Sequence, residues 1–197
     1  MRYDSTHKEK TRRRVLSAAA QAIRGDGPDR IGVAGVMAEA GLTHGGFYAH
    51  FASKGELITA TIEHMFEGAA ARLQREIDAH PPREALAAYI ASYLSMTHCT
   101  ARDRGCPVAA LASDLPRLEE ATRLQFAAGT RRLREKLADL FARAGITDPR
   151  ATAQSVHSEM VGALALARME TDRRRAGAIL AASRRALADR LGLAGMA

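Results

Sequence analysis

Residues 31–58 constrain the fold more than any other part of the chain. Val33, Val36 and Met37 recur at the spacing of one helical face, so the sequence predicts a short helix here. Gly41 follows this run, and glycine readily adopts the positive φ with which a helix ends. A tight turn is therefore expected directly after the helix.

A second short helix is predicted immediately after that turn. Thr43 can cap it, and Phe47 and Phe51 lie four residues apart on its inner face. Residues 53–56 read Ser-Lys-Gly-Glu, a capping box that opens a longer helix near residue 54. Two short helices, a glycine turn and a polar outer face predict a helix-turn-helix. That outer face would present His44, Gly45, Tyr48 and His50.

The string Gly-Gly-Phe-Tyr-Ala-His-Phe-Ala-Ser-Lys-Gly-Glu-Leu at 45–57 resembles the recognition helix and following cap of the TetR family of bacterial transcriptional regulators. The resemblance implies an all-α fold of about nine helices. It implies a three-helix DNA-binding domain over residues 1–54 and a helical inducer-binding and dimerisation domain over residues 55–197. The specific match covers about the first quarter of the chain, and the remainder agrees as a helical domain of suitable length.

The composition agrees with a helical protein that binds a polyanion. Apolar residues make up 47% of the 197-residue chain, aromatic residues 5%, and tryptophan is absent. The net charge is +7, which suits nucleic acid or a membrane surface, although it is also common in ordinary basic proteins. Residues 1–54 hold nine Lys/Arg against five Asp/Glu, so the excess of positive charge is concentrated around the helix-turn-helix. Two cysteines and the lack of a long apolar run or signal peptide predict a cytoplasmic protein without a membrane partner.

Seven residues are the candidate DNA contacts. Glycines at 45 and 46 would let the backbone approach the duplex closely, and a lysine at the start of the next helix would help to hold a phosphate. By resemblance, Thr43, Tyr48, His50 and Lys54 match family positions that contact the DNA backbone. His44 stands where the family usually has a Lys or Arg. For Tyr48 and His50, the alternative is packing or solvent exposure without DNA. The predicted set is Thr43, His44, Gly45, Gly46, Tyr48, His50 and Lys54.

Two helices near the end of the chain, at about 149–170 and 172–190, are the candidate dimer surface. Both are apolar over more than one stripe and rich in small residues, so they could pair with their symmetry mates as a four-helix bundle. The alternative is that they complete the core of one protomer. The residues offered for pairing are Ala153, Val156, His157, Met160, Val161, Leu164 and Ala167 in the first helix, and Ala176, Ile179, Leu180, Ser183, Ala186, Leu187 and Leu191 in the second.

The resemblance implies an inducer pocket in the second domain. Candidate lining residues are methionines, aromatics, a leucine and a histidine at helical spacing, which equally suit plain core packing. They are Met65, Tyr89, Tyr93, Met96, Leu111, Phe126, His157 and Met160. Histidine spacing gives no metal-ligand pattern, so neither a metal nor a cofactor is expected.

Cys106 is a candidate sensor. It stands between Gly105 and Pro107 at a predicted helix start, with Arg102 and Arg104 nearby, and such surroundings activate thiols. Some TetR-type repressors of electrophile or oxidant stress are similar in this stretch. The alternative is a small buried residue without a redox role.

The sequence thus favours a repressor that binds a palindromic double-stranded DNA operator as a homodimer and is released by a small-molecule inducer or by thiol modification. The alternatives are a helical ligand-binding protein or a general nucleoid DNA binder without inducer control. An enzyme is not expected, because the chain has no catalytic triad, phosphate loop or metal cluster at recognisable spacing.

Overall fold

The computed structural model describes residues 2–28 and 30–196. Within these residues the chain forms nine α-helices and two short 3₁₀ helices, with no strand, and this confirms the all-α prediction. The α-helices are α1 (Arg2–Asp26), α2 (Val33–Glu39), α3 (Lys54–Ala79), α4 (Pro82–Tyr93), α5 (Met96–Thr100), α6 (Pro107–Leu111), α7 (Glu120–Arg143), α8 (Pro149–Met169) and α9 (Arg173–Arg190), and the 3₁₀ helices span His44–Ala49 and Leu115–Arg117.

The first short helix and its turn follow the sequence closely. Gly32 is the N-cap residue of α2, and Gly41 ends the helix with a φ of 68°. The amide of Leu42 then donates to the carbonyl of Met37 at 2.8 Å, which closes the turn. An added Cβ at Gly41 would come within 2.9 Å of the Arg14 guanidinium, but that flexible side chain can move, so it is the positive φ that requires glycine here.

The second short helix is a 3₁₀ helix, His44–Ala49, and will be called the reading segment. Thr43 occupies its N-cap position as predicted, but the threonine side chain makes no capping hydrogen bond. Adjacent glycines at 45 and 46 lower the helical preference of a six-residue segment, and the tighter 3₁₀ form is used in such short pieces.

Helix α3 begins with the predicted capping box. The Ser53 hydroxyl accepts from the Glu56 amide at 3.1 Å, and the Glu56 carboxylate accepts from the Ala52 amide at 2.7 Å. The helix is shared by two hydrophobic cores. Its first half, including Ile62, packs with α1, α2 and the reading segment, whereas Leu73 in its second half packs with the later helices.

The later helices pack around a core in which α7 lies between α3 and α8. Asp148 precedes α8 with a φ of 48°, and its side chain makes no capping bond. Asp172 does cap α9, where its carboxylate accepts from the amides of Arg174 and Arg175 at 2.7 and 3.0 Å.

The apolar residues that the sequence offered for dimerisation mostly fill the core of one protomer. This corrects the choice of pairing face, because a side chain buried inside the protomer has no surface left for a second copy. The buried members are Ala153, Val156, His157, Met160, Leu164, Ala167, Ala176, Leu180, Leu187 and Leu191.

Within residues 2–28 and 30–196, no helix combines the length and apolar character that crossing a lipid bilayer requires.

Candidate nucleic-acid interface and ligand cleft

Two phenylalanines anchor the reading segment to the helix-turn-helix core. Phe47 and Phe51 are 2% and 1% exposed, and their rings stack with centroids 5.7 Å apart. The guanidinium of Arg12, from α1, lies 4.8 Å above the Phe51 ring. The two rings therefore fix the orientation of the segment from below, as the sequence predicted for this pair.

The opposite face of the reading segment is open to solvent. Tyr48 is 71% exposed, an unusual fraction for a large aromatic side chain. Thr43, His44 and Gly45 are exposed too, whereas Gly46 and His50 are half-buried. Lys54 is exposed in the first turn of α3, directly after the capped N-terminus. The structure therefore presents the candidate DNA contacts along one exposed edge of the helix-turn-helix.

Helix α1 adds basic side chains to this edge. Burial lowers the pKa of His50, and the positive charges of Lys8 and Arg12 lower it further, so His50 is neutral at pH 7. The effect places both cations of α1 close to the end of the reading segment. From the sequence, Lys8 was a candidate phosphate contact in an N-terminal arm with Arg2 and Lys10, with a solvated terminus as the alternative. Arg12 was not assigned to the interface, because its approach depends on how α1 crosses the reading segment.

The second site surrounds Cys106, the N-cap residue of α6. This cysteine is 1% exposed, and its amide donates to Nε2 of His98 at 3.0 Å. The other ring nitrogen, Nδ1, donates to the carbonyl of Tyr93 at 2.8 Å. Burial is the main cause that lowers the pKa of His98 to about 4, so the ring is neutral and both nitrogens are used.

Arginines from three helices hold the segment at residues 101–105, which will be called the sensor loop. Arg24 of α1 donates to the carbonyl of Asp103 at 3.4 Å, and Arg72 of α3 donates to that of Arg104 at 3.5 Å. Arg168 of α8 donates to two carbonyls of α5, just before the loop, at 3.1 and 3.2 Å. Because these bonds join residues 32 to 79 positions apart, no local sequence pattern predicts them.

A cleft of about 410 Å³ lies beside this loop, between the second half of α3, α4 and α5. Of the predicted pocket residues, Tyr89 and Tyr93 line it. Met96 is half-buried on the side of α9, where its sulfur would lie 3.8 Å from a Cβ at Gly177. Phe126 packs edge-on against Phe66 in the core of the helix-turn-helix region. His157 and Met160 are buried between the helices of the second core. A role for these four in ligand binding stays a prediction.

Two family models match this architecture in chain order. Residues 15–61 match the model described as bacterial regulatory proteins of the tetR family, and residues 82–182 match the C-terminal domain of LmrA/YxaF-like transcriptional regulators. The chain belongs to the TetR family. The family consists of transcriptional regulators with a helix-turn-helix DNA-binding domain, and the predicted resemblance is thereby confirmed.

Solved TetR structures share the whole fold. The reduced form of NemR from E. coli is 20% identical and has a TM-score of 0.79, with 91% of this chain and 97% of that one covered. A TetR regulator from Agrobacterium tumefaciens is 25% identical with a TM-score of 0.77, covering 93% and 98%. A TetR regulator from Chloroflexus aurantiacus is 22% identical with a TM-score of 0.79, covering 95% and 96%. No curated protein matches the sequence.

The described part of the chain, 2–28 and 30–196, contains no group of three His, Cys, Asp or Glu residues arranged to hold a metal ion. The polar chemistry around Cys106 is instead that of guanidinium groups, one neutral imidazole and two phenols. Such groups bind and orient a small molecule through hydrogen bonds and charge.

Proposed function

We propose that this TetR regulator is a repressor that binds a palindromic operator as a homodimer and leaves the DNA when its second domain binds an inducer or is modified at a thiol. The observation that carries the proposal is the open edge from Thr43 to Lys54, held from below by two buried phenylalanines. Tyr48 touches the Phe47 ring edge-on, with centroids 5.2 Å apart, and leaves most of its surface free, which suits a partner surface.

The reading segment would lie in the major groove with Tyr48 and His50 directed at phosphates or base edges. Lys54 would add its charge to the exposed amides at the N-terminus of α3 and hold a phosphate there. Lys8 and Arg12 would extend the phosphate contacts along α1. Binding of this kind depends on cations, so it weakens steeply as the salt concentration rises.

An exposed stripe on α8 supports the dimer. Gly162, Ala165, Leu166 and Met169 follow one another at helical spacing, and the last two are 55% and 77% exposed. Neighbouring α9 exposes small residues, namely Ala178, Ala182 and Ala186. Small and apolar residues on two adjacent antiparallel helices allow the close approach that a four-helix interface needs.

The sensor loop supplies a route from the second domain to the DNA. The carbonyl of Asp103 in this loop accepts from Arg24 near the C-terminal end of α1, and α1 shares one hydrophobic core with the reading segment. A ligand or an adduct that shifts the loop would change the position of α1 and hence of Lys8 and Arg12. Cys106 follows the loop directly, and the addition of its thiol to a quinone forms a C–S bond without any further oxidant. Because Cys106 is buried, the reagent reaches it only when the loop opens.

Operator binding is tested with full-length protein and the intergenic DNA beside its own gene, titrated by fluorescence anisotropy at several salt concentrations. We expect Lys54→Gln to weaken binding and to reduce the slope of log K against log[salt] by about 1. Arg143→Gln, at the exposed end of α7, removes the same charge far from the reading segment along the chain and serves as the control. Equal losses in both variants would show that net charge alone drives binding.

Thiol control is tested on the same DNA complex with p-benzoquinone. We expect quinone to release the wild type and Cys99→Ser, and to leave Cys106→Ser bound. Cys99 is the matched control because it is also buried, at 5% exposure, in the same core. Release of Cys106→Ser at the wild-type quinone concentration would remove thiol modification from the proposal and leave ligand binding alone.

A further inference from the structure

The side chains that line the cleft beside the sensor loop carry an excess of positive charge. Three of its lining residues are arginines, Arg72, Arg75 and Arg104, and the single lining carboxylate is that of Glu76. Glu76 lies 3.7 Å from the imidazole of His80 on the same helix. Arg104 is paired with Asp103 at 3.2 Å, whereas among the described residues no ion pair joins Arg72 or Arg75 to a carboxylate. The repulsion between these guanidinium groups falls when an anion enters the cleft.

Further arginines behind the cleft strengthen this field. After burial, the charges of Arg168, Arg72 and Arg24 lower the pKa of His98, which lines the cleft. The imidazole therefore stays neutral, with both nitrogens already engaged by backbone groups. His98 adds no charge of its own, so the guanidinium groups determine which ligand charge is favoured.

Aromatic side chains form the inner wall. Tyr89 and Tyr93 line the cleft and are each 6% exposed, with ring centroids 6.2 Å apart. Burial raises the pKa of both phenols, so they remain neutral hydrogen-bond donors. The Tyr93 hydroxyl is buried near the Cys106 thiol and has no hydrogen-bond partner of good geometry among the described residues. The tyrosine wall of the cleft therefore adjoins the sensor cysteine.

We propose that this cleft binds a small aromatic carboxylate. The carboxylate pairs with the guanidinium groups at the mouth, where Arg72 of α3 and Arg104 of the sensor loop can both reach it. The ring lies against Tyr89 and Tyr93. The volume of about 410 Å³ accommodates a single-ring acid and lies within the range typical of small-molecule sites.

The lining argues against other ligand classes. Arg104 is already paired with Asp103 at 3.2 Å, but a neutral quinone would leave Arg72 and Arg75 without a charge partner, so it does not explain the cluster. A nucleotide or other polyphosphate would bring several negative charges next to Glu76 and exceed what one ring-sized cleft encloses. A monoanion with a flat apolar body satisfies both the guanidinium groups and the tyrosine wall.

Occupancy of the cleft would act on the sensor loop directly. Arg104 belongs to the loop, and its carbonyl already accepts from Arg72. A carboxylate bridging the two side chains would tie the loop to α3 and change the bond between Asp103 and Arg24 of α1. This regulatory consequence rests on the proposed repressor function, whereas binding of the carboxylate itself does not.

The test measures binding by titration calorimetry with the full-length protein. The probes are benzoate, 4-hydroxybenzoate and phenylacetate, each paired with its primary amide as a neutral compound of the same shape. We expect at least one acid to bind in a saturable way, and its amide to bind about tenfold or more weakly, because the amide lacks the charge-assisted bonds. Equal binding of acids and amides, or no saturable binding of any acid in the millimolar range, would overturn the proposal.

Variants locate the site. Arg75→Gln and Arg104→Gln change exposed side chains and should each reduce acid affinity about tenfold while the thermal midpoint stays unchanged. Arg143→Gln, an exposed arginine outside the cleft lining, should leave acid affinity unchanged, and an equal loss in this control would refute the assignment. Operator binding is measured on the same samples with and without acid. If the acid binds without releasing the protein from DNA, the carboxylate site stands and its regulatory role is rejected. If no sample binds the operator, the proposed repressor function is rejected, while the carboxylate site is still judged by the calorimetry.

Discussion

Gly129 on α7 shows how closely the two long helices approach each other. An added Cβ at this position would overlap the ring of Phe66 on α3, and that ring packs edge-on against Phe126 with centroids 5.1 Å apart. We expect Gly129→Ala to lower the free energy of unfolding by about 1–3 kcal/mol, because neither the aromatic pair nor the backbone can move without loss of packing. Urea unfolding followed by circular dichroism measures the change.

Gly68, on α3, is the matched control. It is a helical glycine with open space around the position of a Cβ. Gly68→Ala should therefore stabilise the protein by about 0.5–1 kcal/mol through helix propensity alone. If both alanines stabilise to the same degree, α3 and α7 are not in close contact at Gly129.

These glycines also show what the chain reveals at the residue scale. Gly41 could be assigned from the sequence because a helix stop is a local event, and the structure gives it a positive φ. The need for glycine at position 129 could not be predicted from the sequence, because the residues around it would fit an exposed helix as well as a buried one. The reason for that glycine lies on Phe66, more than sixty positions earlier in the chain.

At the scale of elements, the reading segment combines two glycines that no contact within the protomer requires. A Cβ added at Gly45 would have nothing within 4 Å, and one added at Gly46 would make only ordinary contact with Met37 at 3.7 Å. Their absence of side chains therefore suits close approach of the duplex. We expect Gly45→Ala to keep or slightly raise the thermal midpoint while it weakens operator binding about tenfold or more.

Gly35→Ala on α2 provides the comparison, because Gly35 is exposed and also has open space around it. Calorimetric melting and anisotropy on the same preparations should show a stability gain without a loss of DNA affinity. Unaltered operator affinity in Gly45→Ala would mean that the reading segment does not meet the groove through this backbone.

Element boundaries divide into those set locally and those set by packing. The capping box at Ser53 was predicted because it depends on residues only three to four positions apart. The 3₁₀ form of the reading segment was not, since two glycines leave the helix type to the surrounding core. The hydrogen bonds that hold the sensor loop could not be predicted either, because the arginine donors come from α1 and α3, far away in sequence.

At the scale of the whole molecule, two reading segments are needed to read a palindrome, and the spacing between them depends on one interface. One short helix contacts only a few base pairs. In the proposed dimer, affinity would come from two reading segments bound to adjacent turns of the duplex. The sequence proposed α8 and α9 for this interface, and most of the residues that it offered there are buried within the protomer. Periodicity shows that a helix has two apolar stripes and does not show which stripe its own chain covers.

Leu166→Asp tests the exposed stripe of α8. Leu166 is 55% exposed in the protomer, and a carboxylate there would be buried unpaired in a dimer, so we expect a monomer that keeps its helical content. Loss of the second head should weaken operator binding by roughly a hundredfold or more. Sedimentation velocity and anisotropy measure the two effects. Leu124→Asp changes a leucine that is 63% exposed on α7 and should leave both unchanged. A dimeric Leu166→Asp protein with normal operator affinity would place the interface elsewhere, while an equal effect of Leu124→Asp would show that added negative charge alone disturbs assembly.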